Sequence, residues 1–416
     1  MTPVRRPRWV QPRYNANVEV PSGRALALAL APGTLLAGIA GGIVFPIFPI
    51  IGKEVGLSLP FIGVILAANR ATRVVTAPAI GVLVDRIGGR RTLLIGLAIQ
   101  VIVMAMYVLG IVIHHEGALF LLGRLLHGPG SGCVFVAAQT LALEAGGAKR
   151  SGGTAGTVRV AIVLGIPIGF AVGGLLAEAV GETATLTIAT AAVTVAWVAA
   201  SLTVPDLRAK VRQRPNLSAI AVAIRDRRML ALGSLNFALA FAAGGMVLTT
   251  LALIVDSRHL QVFGRDAQGS SGLLMSILSI VDAAFTPFAG RLGDRLHAHA
   301  KVAAASLAIT AGGLLAIGLA SGTSATAGGV ALVGLGTAGL GPSVLVLMGR
   351  IVPPDRLGTG TGVLQLCGDL GGMLGPLVGT ALFVGATELP YVLTAAFVAA
   401  FIPVALWLRS VEHSAS

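Results

Sequence analysis

Six charged residues lie inside long apolar stretches of this chain: Arg70, Arg73, Arg124, Arg159, Asp282 and Asp369. An unpaired charge in an apolar interior costs on the order of several kcal/mol, so such groups are as a rule paired or functional. A carboxyl group that pairs with an arginine can also bind a proton, which breaks the pair. The six residues therefore predict ion pairing and proton binding. No nucleophile–base set that would indicate an enzyme accompanies them.

The composition indicates which elements hold these residues. Of the 416 residues, 55% are apolar and 11% are charged, whereas a soluble domain carries about 25% charged residues. The mean hydropathy is +0.88, only two residues are cysteines, and the apolar runs are long and continuous. These features exclude soluble, disordered, disulfide-stabilised and β-barrel proteins. The class that remains is a helical membrane protein with many spans.

The apolar runs predict an all-α fold of twelve transmembrane helices. The expected ranges are about 25–51 (α1), 59–84 (α2), 92–113 (α3), 118–143 (α4), 153–179 (α5), 183–204 (α6), 229–255 (α7), 268–290 (α8), 300–320 (α9), 325–349 (α10), 358–385 (α11) and 390–409 (α12). They form an N-terminal bundle (24–204) and a C-terminal bundle (229–409), joined by a basic linker (205–228). A basic N-terminal tail (1–23) and a C-terminal tail (410–416) complete the chain.

Lysine and arginine predict the orientation. With twelve spans, 23 of the 30 basic residues fall on the side of both termini and three fall on the opposite side. Basic segments stay in the cytoplasm, so we expect both termini there, in a multi-pass protein of the cell membrane. The net charge of +13 then reflects topology, and we expect no nucleic-acid partner.

An internal repeat indicates two related halves. The pattern Gly-x-Leu-x-Asp-Arg occurs at 81–86 and at 290–295, an offset of 209 residues. Gly165 and Gly169 of α5 align with Gly371 and Gly375 of α11 at a similar offset of 206. Duplicated six-helix units of this kind place a substrate site near the membrane midplane, between the halves. The repeat therefore predicts a transporter.

Four segments resemble motifs of the major facilitator superfamily. Residues 81–91 resemble its loop signature, and residues 124–130 resemble its helix 4 motif. Residues 371–379 of α11, including Gly371, Gly375, Pro376 and Gly379, resemble an antiporter motif that the family normally carries in helix 5. Helix α5 has the looser set Gly165, Pro167 and Gly169 instead. Pro46 and Pro49 of α1 are similar to a motif of the twelve-helix drug:proton antiporters.

This resemblance, which covers nearly the whole chain, implies two bundles that rock about a central cavity lined by α1, α4, α7 and α10. It also implies that α2 meets α11 and that α5 meets α8. Counting ~1.5 Å per residue from the helix ends then places Arg70 beside Asp369 and Arg159 beside Asp282. Arg73 shares a face with Arg70 and is the pseudo-symmetric counterpart of Asp282. These pairs either couple transport to protons or hold one conformation without titrating.

The repeated loop motif predicts contacts that hold the halves together. Its candidate residues are Gly81, Asp85, Arg86 and Arg90, with Gly290, Asp294 and Arg295 as the second copy. We expect Asp85 to accept hydrogen bonds at the start of α11, where a helix dipole favours an anion.

The expected cavity and substrate residues are aromatic or polar side chains of the cavity helices. They are Arg124, His127, Phe45, Phe48, Gln139, Asn236, Phe237 and Phe241. With Arg124 as the only charge among them, neutral or anionic substrates are favoured over cations.

The leading interpretation is proton-coupled efflux of a small organic molecule or drug by alternating access. Proton-coupled uptake of a small metabolite is the first alternative, and a non-transporting membrane sensor is the alternative of another class. The sequence shows no phosphate-binding loop and no metal-ligand spacing, so we expect no cofactor, metal or enzymatic activity. Expected partners are the substrate, protons and the lipid bilayer, and a monomer suffices.

Overall fold

The protein is a bundle of long helices, described by a computed structural model for residues 23–113, 117–206, 226–319, 321–352 and 357–409. The N-terminal bundle holds α1 (Gly23–Glu54), α2 (Leu59–Ile87), α3 (Gly89–Val112), α4 (Gly117–Ala142), α5 (Leu164–Val180) and α6 (Glu182–Thr203). The C-terminal bundle holds α7 (Arg227–Ser257), α8 (Ala267–Leu296), α9 (His299–Leu319), α10 (Thr323–Ile351), α11 (Leu357–Phe383) and α12 (Leu389–Trp407). These described ranges contain no strand.

Length and composition fit a membrane protein. Ten helices in the described ranges are long and apolar enough to cross a bilayer, and α5 is a shorter apolar stretch. Only a helix or a closed barrel satisfies every backbone hydrogen bond inside lipid, which explains why these apolar runs are helical. The all-α membrane fold expected from the sequence is confirmed.

The backbone is helical without interruption from α4 through α5, over Gly117–Val180, whereas the sequence predicted two separate spans. The packing against α1 shows that the two segments run in opposite directions. Along α1, Gly41 and then Phe45 face His127 and then Arg124, so α4 is antiparallel to α1. In contrast, successive residues of α5 pack beside successive residues of α1 in the same order, from 165 to 173 against 35 to 43. The chain direction therefore reverses between the two apolar segments, as the prediction of two spans requires.

Capping residues and glycines end the helices at tight connections. Gly88 and Gly181 have φ of 91° and 81°, a conformation that glycine adopts without a steric penalty. They connect α2 to α3 and α5 to α6 directly. In the C-terminal bundle, the side chains of Asp226 and Asp266 accept backbone N–H bonds of 2.8 Å at the starts of α7 and α8.

The two bundles are in close contact at one end. We call the end where α1 begins and α12 ends the termini face, and the other end the opposite face. Near the opposite face, a Cβ atom on Gly272 of α8 would lie 3.2 Å from Cα of Gly174 of α5. Likewise, a Cβ atom on Gly63 of α2 would lie 2.7 Å from the Pro376 carbonyl oxygen of α11. The absence of side chains at these glycines lets the helix backbones of the two bundles touch.

At the termini face the same helices diverge. A Cβ atom on Gly81 of α2 or Gly362 of α11 would meet nothing within 4 Å. Asp85 and Arg86 at the end of α2 are exposed, as are Asp294 and Arg295 at the end of α8. Over these helices, the described residues therefore form a bundle that is closed at the opposite face and open toward the termini face.

Candidate functional site

The central feature is a carboxylate held between the two bundles by two arginines. Asp369 of α11 is 5% exposed and faces Arg70 and Arg73 of α2. Arg70 Nη1 lies 3.4 Å from Asp369 Oδ1, and Arg73 contacts the same oxygen through Nη2 and the other oxygen through Nε at 3.3 Å. Gln365 Nε2 donates to Oδ2 at 3.2 Å. The structure thus brings together Arg70 and Asp369, as expected, and adds Arg73 to the pair.

Small residues make room for this cluster. Arg70 and Arg73 are three residues apart, so both project from one face of α2. Gly372 lies opposite them, and a Cβ atom there would be 2.6 Å from Arg70 Nε. Arg70 Nη2 also donates to the Gly244 carbonyl of α7 at 3.4 Å, so the cluster links three helices.

Gly244 lies in a π-helical segment of α7, Ala240–Val247, that the sequence analysis did not foresee. Such segments insert an extra residue into a helix and are frequent at functional sites. This one packs against α11, where a Cβ atom on Gly375 would lie 2.7 Å from Gly245 Cα, and one on Gly379 would lie 2.8 Å from Met246 Cγ. The adjacent Gly244–Gly245 pair in an apolar span was the available sequence signal. The α11 motif glycines therefore serve close packing of α7 on α11.

Asp282 of α8 has a different environment from Asp369. Thr337 Oγ1 of α10 donates to its Oδ1 at 2.9 Å, and the carboxylate is partly buried. This bond lies within the C-terminal bundle. Arg159, its expected partner, has a side chain outside the described residues, so that pair stays a prediction. Arg73, its counterpart by pseudo-symmetry, binds Asp369 instead.

Arg124 of α4 lies in the interior of the N-terminal bundle, not on the cavity surface where the sequence analysis placed it. It is 1% exposed, and its guanidinium carbon is 5.2 Å from the centroid of the Phe45 ring. None of its three nitrogens makes a hydrogen bond with a described residue. Helical periodicity shows on which side of α4 a residue lies. It does not show whether α1 covers that side, as it does at Arg124.

His127 lies one turn from Arg124 and is also buried. Its Nδ1 is 3.2 Å from Nδ2 of Asn69 on α2, and its Nε2 has no described partner. Asn69 is a polar residue inside an apolar span and precedes Arg70, a signal that the sequence analysis missed. The Arg124–His127 pair and the Asp369 cluster are therefore neighbours through α2.

Several expected cavity residues make packing contacts instead. Phe48 is buried 5.0 Å from Phe120 within the N-terminal bundle, and Phe241 is buried against Phe397 of α12 at 5.2 Å. Their apolar rings complete the cores of their own bundles, which corrects their assignment to the cavity in this conformation.

Of the remaining expected cavity residues, Asn236 and Phe237 contact other helices. Asn236 Nδ2 donates to the Leu364 carbonyl at 2.6 Å, linking α7 to α11. Phe237 stacks on Phe241, and Gln139 Nε2 has no described partner.

The prolines and glycines of α1 and α5 form a close helix pair. Helix α1 continues through Pro46 and Pro49. A Cβ atom on Gly165 would lie 2.5 Å from the Leu35 carbonyl oxygen, and Gly169 packs as closely on Ile39. The Pro167 carbonyl accepts a 2.7 Å bond from Ser276 of α8, which joins the two bundles near the midplane.

The charged loop-motif residues are either exposed or in contact with helices of their own bundle in this open conformation. Asp85 and Arg86 are exposed, and residues 353–356, which precede α11, lie outside the described residues. Arg90 donates to the Ser201 carbonyl of α6 at 2.6 Å. In the second copy, Asp294 Oδ1 is 3.0 Å from Nε2 of the buried His299, and Arg295 is exposed. The expected contact of Asp85 with α11 stays a prediction for the other conformation.

The opposite face carries three polar contacts between the bundles that the sequence analysis missed. Lys53 Nζ of α1 is 2.5 Å from Asp256 Oδ2 of α7. Gln268 Nε2 donates to Glu182 Oε1 at 2.5 Å, and Arg265 Nη1 is 3.8 Å from Glu178 Oε1. The sequence places only three basic residues on this face, and two of them, Lys53 and Arg265, contact acidic residues of the other bundle. Their scarcity was the sequence signal for these contacts.

Comparison with known proteins gives the same fold and family. The sequence model of the Major Facilitator Superfamily matches residues 30–269 and 263–416. The chain is 26% identical over 368 residues to a "Multi-drug resistance efflux pump PmrA homolog" of Lactococcus lactis subsp. lactis (strain IL1403), covering 84% of this chain and 86% of that protein. It is 26% identical over 137 residues to the "Quinolone resistance protein NorA" of Staphylococcus aureus (strain MRSA252), about a third of each chain. A crystal structure of the nucleoside transporter NupG superposes with a TM-score of 0.77 at 15% identity, over 92% of this chain and 99% of that one, which shows a shared fold.

Proposed function

This chain belongs to the Major Facilitator Superfamily and is a multi-pass membrane transporter, and we propose that it exports a small organic molecule in exchange for protons. Both termini then lie in the cytoplasm, the protein acts as a monomer in the cell membrane, and the open termini face receives substrate from the cytoplasm. Asp369 is the proposed proton site, and Asp282 is the second candidate.

The contact of Asp369 with Arg70 and Arg73 supports proton coupling. It lies at the α2–α11 contact, so it joins the two bundles that must move apart in alternating access. A proton on Asp369 removes the only negative charge of the cluster and leaves two arginines facing each other. Because like charges repel in a medium of low dielectric constant, protonation weakens the contact between α2 and α11.

The open direction and the relatives support export. In the present conformation Asp369 is paired with Arg70 and Arg73, and the termini face is open. For an exporter this is the state in which the proton has left to the cytoplasm and substrate enters. The relative from Lactococcus lactis, which matches 84% of this chain, is named an efflux pump. Uptake remains the alternative, and the accumulation experiment below decides between them.

Charge supports a neutral or anionic substrate. The described helix interiors of the N-terminal bundle hold three arginines, Arg70, Arg73 and Arg124. One interior carboxylate accompanies them, Asp369 of α11, and among these arginines it contacts Arg70 and Arg73 only. This leaves an excess of positive charge that disfavours a lipophilic cation. A carboxylate or a similar acceptor satisfies a guanidinium through charge-assisted hydrogen bonds.

The proposed function is tested by dye accumulation in cells that lack the transporter or overproduce it. We expect the deletion to raise accumulation of carboxyfluorescein, an anionic dye, and overproduction to lower it. A protonophore should abolish the difference, since export then loses its driving force. Lower accumulation on deletion would establish uptake instead, and a difference that persists with the protonophore would refute proton coupling.

A further inference from the structure

A lateral groove lies between the termini-face halves of α8, α9 and α10. Its volume is about 540 Å³, within the range of ~300–1,000 Å³ typical of small-molecule sites. Phe285, Phe288 and Leu292 of α8 form one wall, and Ile309 of α9 and Leu335 of α10 form the others. The groove is separate from the Asp369 cluster.

The apolar wall belongs to a stripe of α8 that changes partner along the helix. Closer to the opposite face, Leu274 and Leu278 on this stripe are buried in the core of the C-terminal bundle. Further along, Phe285 and Phe288 are 46% and 62% exposed, so this part of the stripe is not covered by the core of the C-terminal bundle. Ser276, which bonds to α5, is nine residues before Phe285, and nine residues turn an α-helix by about 180° beyond full turns. The groove therefore opens away from the N-terminal bundle.

Two arginines stand at the termini-face end of the groove. Arg291 and Arg295 are four residues apart, so they share a side of α8, and both are exposed. The guanidinium carbon of Arg291 lies 6.0 Å from the Phe288 ring centroid, above the apolar wall. None of the described lining residues is acidic. The groove thus has an apolar length and a cationic end.

Its length matches one leaflet of a membrane. The ten helical steps from Phe285 to Arg295 rise about 15 Å, half of the ~30 Å hydrocarbon core of a bilayer. An acyl chain along Phe285 and Leu335 would place its phosphate at Arg291 and Arg295, where guanidinium groups bind phosphate oxygens bidentately. We propose that the groove binds an anionic phospholipid from the leaflet at the termini face.

The occupant follows from charge and from apolar exposure together. Large exposed apolar patches in a protein mark a binding or membrane surface, and here the patch ends at a paired positive charge. A zwitterionic lipid fills the apolar part equally well, but its headgroup, which has no net charge, is attracted less strongly to the two arginines. The proposal therefore predicts selectivity for net negative headgroups.

The test uses brominated lipids, which quench tryptophan on contact. The native Trp9, Trp197 and Trp407 are replaced by Phe, and Phe288→Trp supplies a reporter in the groove. The full chain is reconstituted with phosphatidylcholine and increasing brominated phosphatidylglycerol or brominated phosphatidylcholine. We expect half-maximal quenching at a roughly 25-fold lower mole fraction of the anionic lipid, since each of the two arginines near the surface contributes a factor of about five.

Controls separate a built site from the general membrane surface. Val195→Trp on α6 is exposed and lies eight residues before the end of its helix, as Phe288 does on α8, so it reports the same depth. There the two lipids should quench equally. Adding Arg291→Gln and Arg295→Gln should abolish the preference at Phe288→Trp, and Arg291→Lys with Arg295→Lys should keep most of it.

Equal quenching by both lipids at Phe288→Trp would overturn the proposal. Native mass spectrometry of the unaltered protein gives an independent readout should the reporter variant fail to fold. There, phosphatidylglycerol adducts that survive equally in wild type and in the double glutamine variant would contradict it.

Discussion

Replacing Gly272 with alanine is expected to shift the conformational equilibrium of the transporter. A Cβ atom at this position would overlap the Phe170 carbonyl oxygen and lie 3.2 Å and 3.3 Å from Cα and N of Gly174. All of these are backbone atoms of α5, so no side chain can rotate away, and α5 and α8 must separate. Overpacking of this kind costs about 1–3 kcal/mol. Because the contact exists only when the opposite face is closed, the cost applies to that conformation alone.

A shift of 1–3 kcal/mol changes the ratio of closed to open opposite faces by about 5- to 150-fold. The shift can be measured as a distance between two spin labels by double electron–electron resonance. The labels are attached to cysteines introduced at Ser58 and Phe263, which are exposed at that face. Both native cysteines, Cys133 and Cys367, are replaced beforehand. We expect Gly272→Ala to add a longer distance. Gly312→Ala is the matched control, since a Cβ atom there meets nothing within 4 Å. An unchanged distance distribution in Gly272→Ala would refute the close-packing argument.

Two other perturbations have defined outcomes. Asp256→Lys should favour opening of the opposite face by about 1.4- to fivefold, given ~0.2–1 kcal/mol for an exposed pair. The exchange Lys53→Asp with Asp256→Lys should restore the wild-type distances. Failure of the exchange to do so would show that the pair does not join the bundles. Arg124→Gln removes a buried charge that contacts the Phe45 ring but makes no hydrogen bond with a described residue, so the melting temperature should not fall. Carboxyfluorescein export should drop by about tenfold or more. A lower melting temperature with unchanged export would assign Arg124 to stability alone.

Axial positions in the fold were predictable from the sequence. The long apolar runs indicate the helices, and counting residues from helix ends puts Arg70 and Asp369 at equal depth. These inferences succeed because the bilayer fixes the length and vertical position of a span. The structure accordingly brings that pair together.

Positions around and between helices were not predictable in the same way. Counting residues does not decide whether Arg124 faces the cavity or the interior, and the structure buries it beside Phe45. The Lys53–Asp256 contact depends on how the two bundles are tilted, which no local pattern encodes. The π-helical segment of α7 arises from tertiary packing on the glycines of α11. Each of these features depends on contacts between distant parts of the chain.

The most direct test of proton coupling is transport by Asp369→Asn in proteoliposomes. Asparagine keeps the size and some hydrogen bonding of aspartate but carries neither charge nor a titrating proton. We expect transport driven by a pH gradient to be lost, while exchange of labelled for unlabelled substrate, which needs no net proton movement, continues. Asp226→Asn is the control, because asparagine also caps a helix and this site lies outside the cluster. Gradient-driven transport at the wild-type rate in Asp369→Asn would contradict the assignment of Asp369 as the proton site.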